Sequence, residues 1–133
     1  PSIIINEVGI YDRSSHSIEL PTQMSLFRSS PGGWLKEAIA TIPDAVKSRG
    51  FALGDVDGDG ENELVIGTRA VEMSDPSFLF VYKRLTDGTW THELIERSGA
   101  LGYHHVETVD IDGDGTSEIF ASDDSKGLLK KYK

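Results

Sequence analysis

The sequence predicts an all-β protein built from repeated units of four short antiparallel strands, the pattern of β-propeller blades. Three observations predict it. An acidic, glycine-rich nine-residue motif occurs twice, beginning at residues 55 and 110, one copy 55 residues after the other. A tryptophan landmark recurs at nearly the same interval, Trp34 and Trp90. Runs rich in Val, Ile, Phe, Tyr and Thr alternate with Asp-Gly and Pro-Gly turns, which is how strands and their connections read. Self-similarity at such a period marks a repeat architecture. Four strands in about 55 residues fits a propeller blade ahead of a sandwich.

In chain order, Ser2-Ile3-Ile4-Ile5-Asn6 occupies the slot later held by Glu63-Leu64-Val65-Ile66-Gly67 and by Glu118-Ile119-Phe120-Ala121. The next strand is an apolar run closed by a base: Ser25-Leu26-Phe27-Arg28, then Phe80-Val81-Tyr82-Lys83, then Lys130-Lys131-Tyr132-Lys133. The third begins at the tryptophan, where Trp34-Leu35-Lys36-Glu37-Ala38-Ile39 matches Trp90-Thr91-His92-Glu93-Leu94-Ile95. The fourth, Val106-Glu107-Thr108-Val109, leads into the second acidic motif. No segment holds a sustained 3.6-residue apolar period, and only Asp44-Ala45-Val46-Lys47-Ser48 reads as a single helical turn. The expected organisation is one propeller segment, 1–133, with units at about 2–62, 63–117 and a half-unit 118–133. That is about two and a half repeats, read as a piece excised from a longer propeller.

The motifs are Asp55-Val56-Asp57-Gly58-Asp59-Gly60-Glu61-Asn62-Glu63 and Asp110-Ile111-Asp112-Gly113-Asp114-Gly115-Thr116-Ser117-Glu118. Alternate aspartates turn their carboxylates toward one centre when the backbone coils tightly, and the glycines permit the positive φ that such coiling needs. Calcium takes six to eight oxygen ligands in loose geometry, which suits this arrangement better than the strict octahedron of magnesium. Two calcium sites are therefore expected. The first uses Asp55, Asp57, Asp59 and Glu63 with the Glu61 carbonyl; the second uses Asp110, Asp112, Asp114 and Glu118 with the Thr116 carbonyl. The opening resembles an EF-hand loop, but no Glu stands at position 12 and each loop runs into a strand. The competing reading is a pair of Asp/Gly turns that bind nothing. Turns need one Asp and one Gly, whereas four converging acids without a cation repel one another strongly.

Lys and Arg number 13 against 22 Asp and Glu, a net charge of −9. Nine of those acids lie in the two loops, so the acidity is local and calls for no basic partner. There is no Lys/Arg patch for phosphates, which argues against nucleic acid. No apolar run reaches the roughly 18 residues of a membrane span, and the first residues lack the basic and apolar regions of a signal peptide. Cysteine is absent, so disulfides give no compartment.

The two loops and the strands after them resemble the FG-GAP/VCBS repeat family, the integrin-α-type propeller repeats, whose core pattern is approximately D-x-D-G-D-G-x-x-[DE]-[IL]-[VIF]. With the Trp landmarks the resemblance extends over nearly the whole chain from Ser2. It implies a propeller of six to eight blades with calcium in loops between strands of a blade. It also implies a non-catalytic role in recognition, adhesion or scaffolding, outside the cell or in the periplasm, with carbohydrate or protein as ligand. Other blades or further copies of the chain are the expected structural partners, since blades need neighbours to cover their faces.

A second hypothesis makes the chain part of a propeller-containing carbohydrate-active enzyme, a lyase or dehydratase, with His104, His105 or Trp90 lining its site. Consecutive residues on a strand point to opposite faces, so His104 and His105 do not readily chelate one ion; one packed and one exposed is the plainer reading. Trp34 and Trp90 could stack on a sugar ring, but their recurrence favours packing between blades. Glu37 and Glu93 recur in register too, which favours structure over a single catalytic acid. The lysines of 126–133 read as protection of an edge strand. No nucleophile elbow, phosphate loop or zinc spacing is present, and Ser14-Ser15-His16-Ser17 is a polar loop. No catalytic constellation emerges.

Overall fold

The computed structural model describes residues 2–7, 9–42 and 47–133. Among these residues the fold is all-β: twelve strands in four antiparallel sheets, with no helix and no closed propeller ring. The chain divides into two compact units, Pro1–Lys47 and Ser48–Lys133.

In the first unit, β1 (Ser2–Glu7), β4 (Thr22–Ser30) and β5 (Gly33–Ile42) form a sheet in the order β1-β4-β5, while β2 (Ile10–Asp12) and β3 (Ser17–Leu20) form a separate hairpin. Alternation of side chains along strands buries Met24, Leu26, Ile39 and Ile42 and leaves Ile3 and Ile5 on the exposed side of β1. Glu7 ties the sheet together: the Ser25 hydroxyl donates to it at 3.0 Å and Lys36 Nζ lies at 2.5 Å. Lys36 first and Ser25 second hold its carboxyl below the ordinary carboxylate range. Of the five residues read as a helical turn, Asp44, Ala45 and Val46 lie outside the described residues, and Lys47 and Ser48 open a strand.

The second unit holds the sheet β6-β7-β8-β9, made of β6 (Lys47–Gly54), β7 (Glu63–Arg69), β8 (Ser77–Arg84) and β9 (Trp90–Ser98). Beside it lies β10-β11-β12, made of β10 (Tyr103–Val109), β11 (Glu118–Asp123) and β12 (Leu128–Tyr132). Val65 and Leu79 from the first sheet pack with Tyr103, Val106, Ile119 and Ala121 from the second. Every residue of 63–68 is buried, which is why β7 carries the continuous apolar run Leu64-Val65-Ile66-Gly67. Each acidic loop joins two neighbouring strands of one sheet, β6 to β7 and β10 to β11, whereas the sequence reading put unit boundaries at the loops.

A polar clamp also joins the two sheets. Asp123, fully buried on β11, accepts from the Ser98 hydroxyl of β9 at 2.7 Å and faces Lys130 Nζ of β12 at 3.1 Å. Burial pushes the Asp123 carboxyl up, but Ser98 and Lys130 together outweigh it and hold it below its ordinary value. Glu96 of β9 accepts from Lys130 and from the Tyr132 hydroxyl. Removing a partner from such a cluster leaves desolvated acceptors unmet. Lys130→Met is expected to lower unfolding free energy by about 1–3 kcal/mol, read as a shifted denaturant midpoint with an unchanged slope. An unchanged midpoint would mean the clamp contributes nothing net.

Candidate metal centres

Each acidic loop is wound by its own backbone amides. In the first, the Gly58 and Gly60 N–H groups donate to the two oxygens of Asp55 at 2.7 and 2.8 Å, and Glu61 N–H donates to Asp59 at 2.9 Å. In the second, the Gly113 and Gly115 N–H groups donate to Asp110 at 2.7 and 2.9 Å, and Thr116 N–H donates to Asp114 at 2.8 Å. The four glycines have φ of 79°, 89°, 76° and 91°, left-handed values that side chains disfavour. The closing glutamate returns to the loop start in both copies: Glu63 accepts from Val56 N–H at 3.0 Å and Glu118 from Ile111 N–H at 3.1 Å.

This winding brings Asp55, Asp57 and Glu63 together, and likewise Asp110, Asp112 and Glu118. In each trio one carboxylate oxygen per residue lies within 4.8 Å of the others. The two clusters could hold metal ions. Asp59 and Asp114 fall outside these trios, each paired with a lysine. Glu61 is exposed and Thr116 half-exposed at position 7.

The lysines were not part of the sequence-derived site. Lys83 Nζ, from β8, bridges Asp57 and Asp59 in the first loop. Lys133 Nζ, just past β12, bridges Asp112 and Asp114 at 3.0 and 2.8 Å in the second. An ammonium group thus stands in for a cation at equivalent places in both loops. The signal was visible as the register of two runs ending in Lys83 and Lys133. Each lysine, with a backbone amide after it, holds its partner Asp59 or Asp114 below the ordinary carboxylate value. Glu118 is fully buried, and its Oε1 stands 3.0 Å from Lys131 Nζ and 3.7 Å from Lys133 Nζ. The donors are hard oxygen atoms throughout, with no imidazole or thiolate among them, and they fit a hard divalent cation.

A cleft of about 590 Å³ runs between the two sheets of the second unit, lined among others by Asp57, Glu63, Lys83, His92, Tyr132 and Lys133. His92 stacks on Tyr82 with ring centroids 5.1 Å apart. Trp34 is 52% exposed at its hairpin, and Trp90 is half-buried at the start of β9. His104 pairs through Nδ1 with Asp124 at 3.1 Å while His105 is exposed, so the two imidazoles do not converge. Glu37 pairs with Arg28 at 3.5 Å, and Glu93 is exposed along the cleft. No protein-family model, curated protein or solved structure matches the chain.

The two closing glutamates differ in one neighbour. Glu118 has Lys131 beside it, and in the alignment of the runs ending in Lys83 and Lys133 the residue corresponding to Lys131 is Val81, on β8. Burial, with the Asp57 charge adding to it, raises Glu63 above its ordinary 4.5; the Ile111 amide and then Lys131 lower Glu118 below the same value. The folded state therefore binds the Glu63 proton more tightly than the unfolded chain does. Its ionised form opposes folding above that window, and acidification through the window relieves the penalty. Glu118 contributes stability that is present above pH 4.5 and lost as pH falls through its lowered value. In chelator at pH 7, Glu63→Gln is expected to raise the melting temperature and Glu118→Gln to lower it. Shifts of the same sign would show that Lys131 does not distinguish the two sites.

Proposed function

We propose that this chain is a calcium-binding segment of an FG-GAP/VCBS-type propeller that serves as a non-catalytic binding or scaffold module outside the cell or in the periplasm. The observation that carries the reading is the duplicated loop: the same nine-residue pattern, wound by the same amide bonds, gathers three carboxylates at both places. The strand succession β6-β7-β8-β9 supports a four-stranded blade, and β10-β11-β12 repeats its first three members at the 55-residue period. Calcium is favoured over magnesium because acids on a flexible loop satisfy an ion of variable coordination number more easily than one demanding an octahedron. Extracellular-type calcium modules bind at about 10⁻⁴–10⁻³ M, a range that millimolar calcium outside cells fills. The cleft beside the loops is the seat assigned to a carbohydrate or peptide ligand. The exposed Ile3, Ile5, Leu128 and Leu129 on β1 and β12 support docking to other blades or copies.

Ligand binding to the folded state alone stabilises it by about 0.4–1.4 kcal/mol per site when millimolar calcium stands at a one- to tenfold excess over such a Kd. For two sites in a chain of this size that corresponds to about 3–10 °C in melting temperature. A melt in millimolar calcium is expected to exceed one in chelator by that much, with little effect of magnesium. Combining Asp57→Ala with Asp112→Ala is expected to remove the difference. Equal melts in calcium and chelator for the unmodified chain would overturn the reading.

A further inference from the structure

The two loops touch, and the contact falls on groups that matter to both. Ser117 N–H donates to the Asp55 carbonyl at 2.6 Å. Asp55 supplies the first carboxylate of one cluster. The N–H of Ser117 belongs to the same peptide unit as the Thr116 carbonyl, which is the seventh-position oxygen assigned to the other site. One planar amide, at the seventh position of the second loop, therefore holds the backbone of the first with its hydrogen.

A second contact lies beside it. The Thr108 hydroxyl donates to the Leu53 carbonyl at 2.7 Å, and these residues stand two positions ahead of Asp110 and Asp55, one repeat apart. Gly54 makes the approach possible: a Cβ there would lie 2.7 Å from Thr108 Cβ and 3.1 Å from Ser117 Oγ.

We propose that the two acidic loops form one cooperative cation-binding unit, coupled through the Thr116–Ser117 peptide and its bond to Asp55. The inference rests on the calcium reading of the loops and adds a relation between them. A cation held in the second loop would order the Thr116–Ser117 peptide near its closing end, so the backbone at Asp55 would already be ordered when the first loop takes its ion. The second ion then meets a smaller ordering cost, which is positive coupling without a large change of shape. Thermodynamic linkage makes the coupling equal in both directions even though the hydrogen bond points one way.

The test is calorimetric titration of the full chain with calcium, in the unmodified form and in the single-site variants Asp57→Ala and Asp112→Ala. The expected result is that each variant binds one ion, more weakly than that same site binds when its neighbour is filled. The factor should be the same for both variants and at least about fivefold. Gly54→Ala, which touches no ligand, is expected to reduce the two-ion isotherm to two independent events by pushing the loops apart. An unmodified isotherm equal to the sum of the two single-site isotherms would overturn the coupling while leaving calcium binding intact. Absence of any calcium binding by the unmodified chain would overturn both the coupling and the function on which it rests. If Gly54→Ala does not fold, the comparison of the three isotherms decides alone.

Discussion

Mutual repulsion among carboxylates governs this molecule. Each loop gathers three carboxylates to within 4.8 Å of one another, a separation at which like charges oppose each other by several kcal/mol in a partly screened protein environment. Such a loop closes only if something positive enters it. The backbone supplies part of the answer by aiming the glycine amides at Asp55 and Asp110. Lys83 and Lys133 supply another part. Because those lysines come from β8 and from the end of β12, charge balance in the loops is bound to the order of the sheets. Strand pairing and charge balance are thereby two sides of one constraint.

The features legible in the sequence are those whose partners lie close along the chain. Alternating aspartates and glycines over nine residues specify their own geometry, so the membership of Asp55, Asp57 and Glu63 could be read directly, and the repeat doubled the signal. The period also disclosed most strands, including β1 in the slot of β7. The lysines are a different matter: Lys83 reaches Asp57 from 26 residues away and Lys133 reaches Asp112 from 21. Sequence spacing carries no information on such a contact until the strand order is known. The lysines of 126–133 read as edge protection, and Lys130, Lys131 and Lys133 each also face a buried or clustered acid.

Two further elements escaped for other physical reasons. The hairpin β2–β3 spans 10–20 and carries little apolar alternation. Its turn is held instead by Asp12, which accepts from Ser14 N–H and from the Ser14 and Ser15 hydroxyls at 2.7–2.8 Å and is drawn down to about 2 by Ser15 and then Ser14. A polar turn of that kind looks like loop in sequence. The phase of the sheets was hidden as well. A loop that closes a hairpin and a loop that links two sheets have the same composition, and only the pairing of β10 with β11, Val109 opposite Glu118, separates them.

That pairing explains why the two sites, though written in one pattern, are not equivalent. In a hairpin the last residue of one strand meets the first of the next, so each closing glutamate is fixed at the sheet edge where β8 or β12 passes. What β8 or β12 carries there decides the charge that the glutamate meets. Val81 gives Glu63 an apolar neighbour, and its carboxyl is pushed up by burial. Lys131 gives Glu118 an ammonium 3.0 Å away. The second loop is thus partly neutralised by two lysines of its own chain, the first by one. The first loop carries more uncompensated negative charge than the second. Two loops that keep one acidic pattern can therefore differ in charge balance through a single residue on a strand outside either loop.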